Sequence, residues 1–308
     1  MQLELSDEAA EYGRQALRAF QAAGGDQLVQ DAEVKPQIRE TLVAPVLAEL
    51  GAWDLEPGAD ADSREAAAAL CRSAGYWALP YPVAERLARP GDIDADGLVV
   101  VDPARPVAPL AGLENSWATV TLTGRRGRVV GQGAAQSAFV SAVTLQHLDD
   151  DGEGDVALAL VLPCWTLLGM LDRAIDETVA HISLRKQFDQ PLSGFQGVQF
   201  QLTDAEVERS GLDVLARYAL WSIGSASTND AAIDDALALR MAAIEAAEVV
   251  FRVCHQLHGA VGFCEETTLS WLSRYSQPLR RLPYGLSATR AHLTQRIGRR
   301  GLTGLYIP

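Results

Sequence analysis

The chain has 308 residues, of which 48% are hydrophobic, a length that allows two domains or a divided core and a composition typical of globular proteins. Its 26 basic and 40 acidic residues give a formal net charge of −14 at pH 7. This charge argues against non-specific binding to nucleic acid or to an anionic membrane. We therefore expect no nucleic-acid partner. Uninterrupted apolar runs are also well short of the length of a membrane span, so we expect no membrane association.

The first region, residues 1–95, is predicted to be a helical domain. Ser6 is a plausible N-cap for a first helix that ends at Gly24-Gly25. A second helix is expected near Pro36–Leu50, where apolar residues recur every four positions, and a third over 63–74. The segment Pro80-Tyr81-Pro82 closes the domain.

The second region, residues 96–156, is predicted to be a small β domain. Prolines and glycines separate its β-rich runs, which are Leu98–Val101, Trp117–Leu122, Arg128–Val130 and Ala138–Leu145. The end of the second run and the third run are expected to form a hairpin around Gly124. The acidic segment Asp149–Asp155 is predicted to be a solvated loop.

The third region, residues 157–308, is predicted to be an antiparallel four-helix bundle, because its long helical patterns are joined by short connections. Its helices are expected from Val156 or Pro163 to Arg185, from Phe195 to about Ile223, from after Asp230 to Leu257, and from Leu286 to Arg299. The predicted fold class is therefore α+β, mainly α.

Cysteine and histidine patterns indicate no metal site. None of Cys71, Cys164, Cys254 and Cys264 forms a C-x-x-C pair, and no signal peptide is recognised, so reduced thiols and a cytoplasmic location are expected. His255 and His258 have a spacing that permits metal ligation, but a hydrogen-bonded pair within the bundle is the favoured interpretation.

Two stretches carry the most specific signal. The first, residues 185–196, reads RKQFDQPLSGFQ, and the second, residues 256–263, reads QLHGAVGF. In this order they resemble the family patterns R-K-x-F-x-x-P-(L/I)-x-x-(F/L)-Q and Q-x-x-G-G-x-G of the acyl-CoA dehydrogenases. The resemblance covers roughly residues 163–290 and, more loosely, the whole chain. Taken alone, the Arg-Lys pair at a helix C-terminus also fits the complementation of a helix dipole.

The resemblance implies FAD as the cofactor. In the family, the arginine matching Arg185 contacts the pyrophosphate of FAD, for which a planar guanidinium is well suited. The glutamine matching Gln196 and the segment matching Gln256, Gly259 and Ala260 approach the same cofactor, which a neighbouring subunit mainly holds. Ala260 replaces the usual second glycine, and Phe188 takes the position of the family's aromatic residue.

The resemblance also implies a catalytic glutamate, and both family positions for it lack a carboxylate here. One position is Tyr284, and the other is Ala159, about 26 residues before Arg185. The expected set of catalytic residues is therefore empty. Asp155 lies one turn, about 5–6 Å, before Ala159 and is the remaining candidate for a base.

The predicted β domain is shorter than the family's, and the family's flavin-facing tryptophan and threonine are not found in it. This also indicates that the chain does not carry a complete active site of its own. We predict a subunit without the catalytic Glu, as in bacterial α2β2 acyl-CoA dehydrogenases that act on steroid side-chain CoA thioesters. Its partners would be a second acyl-CoA dehydrogenase-like subunit that supplies the Glu, an acyl-CoA substrate, and electron-transfer flavoprotein as acceptor. The alternatives are a self-sufficient flavoenzyme that uses a displaced carboxylate such as Asp155, and a non-catalytic binding or scaffold protein of the same fold.

Overall fold

A computed structural model describes residues 4–137 and 139–300, without the side chains of Arg299 and Arg300. Its fold is α+β and mainly α, as predicted. Ala138, where one predicted strand begins, lies outside the described residues, as do residues 1–3 and 301–308 at the ends of the predicted outer domains. The buried apolar side chains form one main cluster that runs through helices and sheet alike.

The N-terminal part is helical. Its helices are α1 (Asp7–Ala22), α2 (Asp26–Val34), α3 (Arg39–Glu49), α4 (Ala61–Tyr76) and α5 (Val83–Leu87). Ser6 caps α1 as predicted, since its hydroxyl accepts a hydrogen bond from the backbone N–H of Ala9 at 3.3 Å. Helices α2 and α5 were not predicted, because each is short and offers few apolar positions from which a period can be recognised.

A five-stranded sheet follows. Its strands are β1 (Gly97–Val100), β2 (Val107–Ala108), β3 (Trp117–Val120), β4 (Arg125–Ser137) and β5 (Val140–Asp151), in the spatial order β1-β3-β4-β5-β2. Strands β1 and β3 are parallel, and the other pairs are antiparallel. The predicted hairpin around Gly124 is confirmed as β3–β4, with a φ of +80° at that glycine.

The loop predicted for Asp149–Asp155 is wrong. Strand β5 continues to Asp151, and the next helix begins at Glu153. The cause is Arg126, which is 5% exposed and draws in the acidic side chains around it. Its guanidinium contacts Asp150 at 2.7 Å, Asp155 at 2.6 Å and Asp92 at 2.6 Å. Asp149, Asp150 and Asp151 are exposed, as predicted, but they lie in a regular strand and not in a loop.

The C-terminal part contains the four predicted helices and one more. The helices are α6 (Glu153–Leu184), α7 (Gln196–Ser225), α8 (Asn229–His258), α9 (Thr268–Arg281) and α10 (Leu286–Arg300), with a small hairpin of β6 (Lys186–Gln187) and β7 (Gln190–Pro191) after α6. Helix α9 was missed, since few apolar residues, such as Leu269 and Leu272, mark its buried face.

Helix α6 is the central element and packs against α4, α7 and α8. A Cβ atom added at Gly75 would lie 1.9 Å from the carbonyl oxygen of Thr166, and one at Gly169 would lie 1.8 Å from that of Arg72. Glycine at both positions therefore lets the backbones of α4 and α6 touch. This close approach brings the segment after α4, including α5, against the middle of α6.

Helix α6 is also long and apolar enough to cross a membrane, with a mean hydropathy of 1.8 over its most apolar window. The interior of the protein buries 78% of that window. The core helix of a globular protein has this property, so the length and composition of α6 are weak evidence for a membrane span.

Candidate functional site

Arg185 lies where the chain leaves α6. Its backbone N–H still bonds to the carbonyl of His181 at 2.9 Å, but its ψ of 122° is extended. The following hairpin turns at Phe188 and Asp189, whose φ values of 51° and 62° are typical of a tight two-residue turn. The N–H of Leu192 then returns to the carbonyl of Arg185 at 2.8 Å. The local sequence thus fixes the backbone of Arg185 and leaves its side chain exposed.

The second motif forms the end of α8. Gly259 has a φ of +63° and a ψ of −146°, a conformation open essentially to glycine alone. A 3₁₀ turn over Gly259–Phe263 follows and leaves Gln256, Gly259 and Ala260 exposed. Ala260 is not among the residues with positive φ, so alanine replaces the family's second glycine without backbone strain.

A pair of histidines brings the two motifs together. The rings of His181 and His258 stack with centroids 4.4 Å apart. His181 is one turn before Arg185, and His258 directly precedes Gly259, so both motifs lie on one surface. Burial lowers the pKa of both histidines, and for His181 the neighbouring His258 and Arg185 lower it further, which favours neutral rings.

We call this surface the Arg185 face and define it as residues 185–196 and 256–263. All six residues predicted to approach the cofactor are exposed on it, namely Arg185, Phe188, Gln196, Gln256, Gly259 and Ala260. Within the described chain, the guanidinium of Arg185 forms no ion pair. Large apolar side chains surround it, with Leu184 82% exposed and Phe188 88% exposed. Unpaired donors beside exposed apolar groups suit a ligand and a neighbouring chain.

The histidines of this surface do not form a metal site among the described residues, where no three His, Cys, Asp or Glu side chains converge. The Nδ1 of His258 lies 2.9 Å from the carbonyl oxygen of Cys254, and His255 stacks on Phe263 with centroids 4.3 Å apart.

A second candidate region is a cavity of about 110 Å³, which we call the inner cavity. Helix α6 forms one wall, through Ala159, Leu160, Pro163, Thr166 and Met170. Segments from α5, the sheet, α8 and α9 close the others. Because Ala159 lines this cavity, a carboxylate at that family position would face it, and the chain presents a methyl group instead.

A larger space of about 660 Å³, which we call the vestibule, adjoins the inner cavity. The two share six walls, namely Val107, Phe139, Tyr275, Pro278, Leu282 and Pro283. Tyr284, the other family position for the base, lines the vestibule. Burial, and then the carboxylate of Asp102, raises the pKa of Tyr284 to about 12, so this phenol is neutral at physiological pH. Arg105, Arg274 and Arg281 line the vestibule together with the acidic residues Glu33 and Asp102, and Arg274 pairs with Glu33 at 3.3 Å.

Asp155, the remaining candidate for a base, lines neither space. Both of its close contacts are with Arg126, at 3.0 Å from Nε and 2.6 Å from Nη2. Burial raises its pKa, while Arg126 opposes that effect. The geometry gives Asp155 a structural role at the start of α6 rather than access to the inner cavity.

Three charged residues line the inner cavity, Arg39, Glu85 and Arg240, and none of them was singled out in the sequence. Glu85 lies on α5 and lines the cavity, and burial raises its pKa to about 7. Arg240 lies on α8 and is 2% exposed. A signal existed for the latter two: Glu85 follows the apolar stretch after Pro80-Tyr81-Pro82, and Arg240 interrupts the apolar stripe of Ile233, Leu237 and Ile244 at helical spacing.

The chain is similar to known proteins in both sequence and fold. Residues 161–285 match the family model of the acyl-CoA dehydrogenase C-terminal domain. Among curated proteins, acyl-CoA dehydrogenase FadE28 of Mycobacterium tuberculosis is 33% identical over 94 residues, which is 30% of this chain and 27% of that protein. FadE27 of the same organism is 28% identical over 137 residues, covering 43% of this chain and 36% of that protein. The alignments thus span about a quarter to a third of these relatives.

Solved structures share the fold over nearly the whole chain. The ChsE4–ChsE5 complex from Mycobacterium tuberculosis has a TM-score of 0.78 at 14% identity, covering 98% of this chain and 100% of that one. A variant of the Tcur3481–Tcur3483 steroid ACAD has a TM-score of 0.74 at 20% identity, covering 96% and 99%.

The domain match, the relatives and the fold are thus all similarities to proteins of the acyl-CoA dehydrogenase family. This family binds FAD, and the similar structure of PigA, with a TM-score of 0.70 at 13% identity over 98% of this chain and 100% of that one, contains FAD.

Proposed function

We propose that this chain is a subunit of a heteromeric FAD-dependent acyl-CoA dehydrogenase. The Arg185 face supplies part of the FAD site, and a partner subunit supplies the catalytic glutamate. The reaction is the α,β-dehydrogenation of an acyl-CoA thioester, and the enzyme is active only when both subunits are present.

One observation carries the proposal: the exposed Arg185 face occurs together with an inner cavity and a vestibule in which Ala159 and Tyr284 offer no carboxylate. The donors of the Arg185 face are exposed, so a neighbouring chain can share a ligand that is held there. Removing an α-proton requires a base within hydrogen-bond reach, and neither family position offers one. A partner that carries the base completes the site.

The residues of the Arg185 face fit FAD. Arg185 would pair with the pyrophosphate through its planar fork of N–H groups. The amides of Gln196 and Gln256 would hydrogen-bond phosphate or ribose without adding charge, and the backbone at Gly259 permits close approach because a Cβ there would meet no neighbour within 4 Å. When bound, FAD supplies the electron acceptor for the dehydrogenation.

The pairing of subunits and the substrate follow by analogy. Two structural neighbours are named as two-component assemblies, and one of them is named a steroid ACAD. Their fold similarity is the basis on which we propose an α2β2 arrangement and a steroid side-chain CoA thioester as substrate. Electron-transfer flavoprotein is the expected acceptor, and a cytoplasmic location stays a prediction.

The alternative of a self-sufficient flavoenzyme loses support, because Arg126 holds Asp155 away from the inner cavity. The alternative of a non-catalytic scaffold predicts that no flavin binds under any condition, which separates it from the proposal.

The test is to co-express the chain with an acyl-CoA dehydrogenase-like subunit that carries a glutamate at one of the two family positions, and to measure bound FAD by absorbance. Arg185→Ala should weaken FAD binding roughly tenfold to a hundredfold, because a charge-assisted pair is lost. Lys186→Ala is the matched control, since it removes the adjacent exposed cation of the same hairpin. Equal loss of FAD in both variants would count against the specific role of Arg185.

A further inference from the structure

Helix α7 carries an exposed apolar stripe, which we call the α7 stripe and define as Phe200, Val207, Val214 and Trp221. These four are between 40% and 62% exposed, and they are among only eleven large apolar side chains that the described chain leaves exposed. They recur every seven residues, which is close to two turns, so they form a nearly straight line of about 32 Å along the helix. This length corresponds to three heptads, along which a second helix can pack.

The α7 stripe is not the side by which α7 packs in its own chain. The inner side contacts α6 and α8 through the buried residues Ala205, Leu212, Ala216, Ala219 and Leu220. Helix α7 is therefore apolar on two sides, and the described chain covers the inner one. A stripe of this size on the outer side indicates a contact with another molecule.

Gly211 lies near the middle of the α7 stripe. It is exposed, its φ is not positive, and a Cβ atom added there would meet no neighbour within 4 Å. Glycine destabilises a helix interior relative to alanine, and the described chain has no steric need for it at this position. A glycine does allow another backbone to approach closely, so it suits a helix that packs on α7 from outside.

The α7 stripe has the same order of residue types in both directions. Its centre lies between Ser210 and Gly211, with the two valines equally far from that centre and the two aromatic residues equally far beyond them. A helix that packs antiparallel on its own copy needs this property, because a twofold axis pairs residue i of one copy with residue j of the other and the reverse. The seven-residue line drifts by about 20° per heptad around a straight helix, so the two helices would cross at about 20°.

The polar residues beside the α7 stripe are compatible with this arrangement. Asp204 and Tyr218 flank it on one side, and Thr203 and Arg217 flank it on the other. Each pair is related by the same centre to within one residue, so Asp204 of one copy would face a phenol and Arg217 would face a hydroxyl. Like charges are therefore not opposed along the line of contact.

We propose that the α7 stripe binds a second copy of this chain, antiparallel and across a twofold axis. The Arg185 face ends at Gln196, about one turn before Phe200, so the two surfaces adjoin without sharing a residue. Contact through α7 then joins two heterodimers into an α2β2 assembly. That consequence rests on the proposed function, whereas the pairing of α7 does not.

The test is the mass of the full chain in solution, measured by sedimentation equilibrium at about 10–100 µM. We expect a dimer of the 33.1 kDa chain. Val207→Glu should weaken its association roughly a hundredfold or more, because the twofold axis brings two carboxylates among apolar side chains. Val34→Glu is the matched control, since Val34 is a more exposed valine at the end of α2, and it should leave the dimer unchanged.

Crosslinking tests the direction of the helices. Cys264→Ser provides the background, because it removes the exposed thiol of the described chain. With a short bismaleimide, a Phe200→Cys chain mixed with a Trp221→Cys chain should give a crosslinked dimer, and neither variant should do so alone. Efficient crosslinking of Phe200→Cys to itself would indicate a parallel contact and would overturn the proposal.

A chain that stays monomeric at these concentrations, or a dimer that Val207→Glu does not weaken, also overturns the proposal. In the co-expressed complex, Val207→Glu should halve the mass and leave FAD bound. An unaltered complex that contains no flavin, but that the variant dissociates, contradicts the proposed function alone. A flavin-containing complex whose mass the variant leaves unchanged contradicts this proposal alone.

Discussion

The Arg185 face and the inner cavity differ in how the chain builds them. Two short contiguous motifs form the face, and each keeps its donors exposed. The cavity draws its walls from α3, α5, the sheet, α6, α8 and α9, and it encloses Glu85 and Arg240 among apolar side chains. The face is therefore suited to completing a site on another chain, whereas the cavity is suited to selecting a ligand within this one.

The largest expected effect is a loss of stability when the packing of α4 against α6, beside the inner cavity, is disturbed. Gly169→Ala should cost several kcal/mol of unfolding free energy, because its Cβ would lie 1.8 Å from the backbone oxygen of Arg72 and would force α4 away from α6. Gly211→Ala, within α7 and without neighbours within 4 Å, is the control and should be neutral or slightly stabilising. Urea denaturation measures both, and similar stabilities would contradict the described contact of α4 with α6.

A smaller effect concerns the charge inside the cavity. Burial raises the pKa of Glu85 from the usual 4.5 to about 7, with Arg39 opposing and the thiol of Cys71 close by. The folded state then binds the proton more tightly, so the stability linked to Glu85 is full below pH 4.5 and is lost as pH rises to about 7. Glu85→Gln should accordingly stabilise the protein at pH 8, by up to about 3 kcal/mol, and have little effect at pH 4.

Thermal unfolding at the two pH values checks this expectation, with Glu49→Gln, at an exposed position of α3, as the control. A stabilisation by Glu85→Gln that is the same at both pH values would contradict a buried, titrating carboxyl.

The Arg185 face should be sensitive to backbone strain at Gly259. Gly259→Ala places a Cβ in open space, so its cost of about 1–3 kcal/mol comes from the positive φ alone. Gly285→Ala is the control, since it also meets no neighbour within 4 Å but is not among the glycines with positive φ. Because Gly259 shapes the Arg185 face, its variant should also lower FAD retention in the complex. Undiminished retention would argue that this turn lies outside the cofactor site.

The smallest effect concerns the histidines behind the face. Their lowered pKa values mean that the stability linked to the neutral rings is present above the unfolded pKa and is lost as pH falls. His181→Phe keeps a ring against His258 and removes one titration. Its melting temperature should drop less than that of the unaltered chain between pH 7.5 and 5, by at most a few degrees. An identical drop in both proteins would mean that the stacked histidine pair does not contribute to the pH dependence of the melting temperature.

The same contrast explains what the sequence could predict. The cap at Ser6, the turn at Gly124 and the helices on either side of Arg185 follow from local patterns, and each is confirmed. The motifs at Arg185 and Gln256 are local too, although their roles toward FAD remain predictions. The boundaries of the three predicted domains also remain predictions.

The misses have a different origin. The acidic segment before α6 was read as a loop because its partner, Arg126, is a residue of the neighbouring strand. Glu85 and Arg240 are 155 positions apart in the chain, so no sequence window could bring them into one cavity. A local pattern can mark each of these side chains, but it cannot show that they line the same cavity.

The most direct measurement is the flavin content and mass of the purified chain, alone and co-expressed with a partner that carries the family's glutamate. We predict that the chain alone is colourless and that the complex is yellow, with about one FAD per pair of chains. Only the complex should oxidise acyl-CoA. A yellow homo-oligomer of this chain that oxidises acyl-CoA by itself would contradict it, because the base and the whole flavin site would then reside in one sequence.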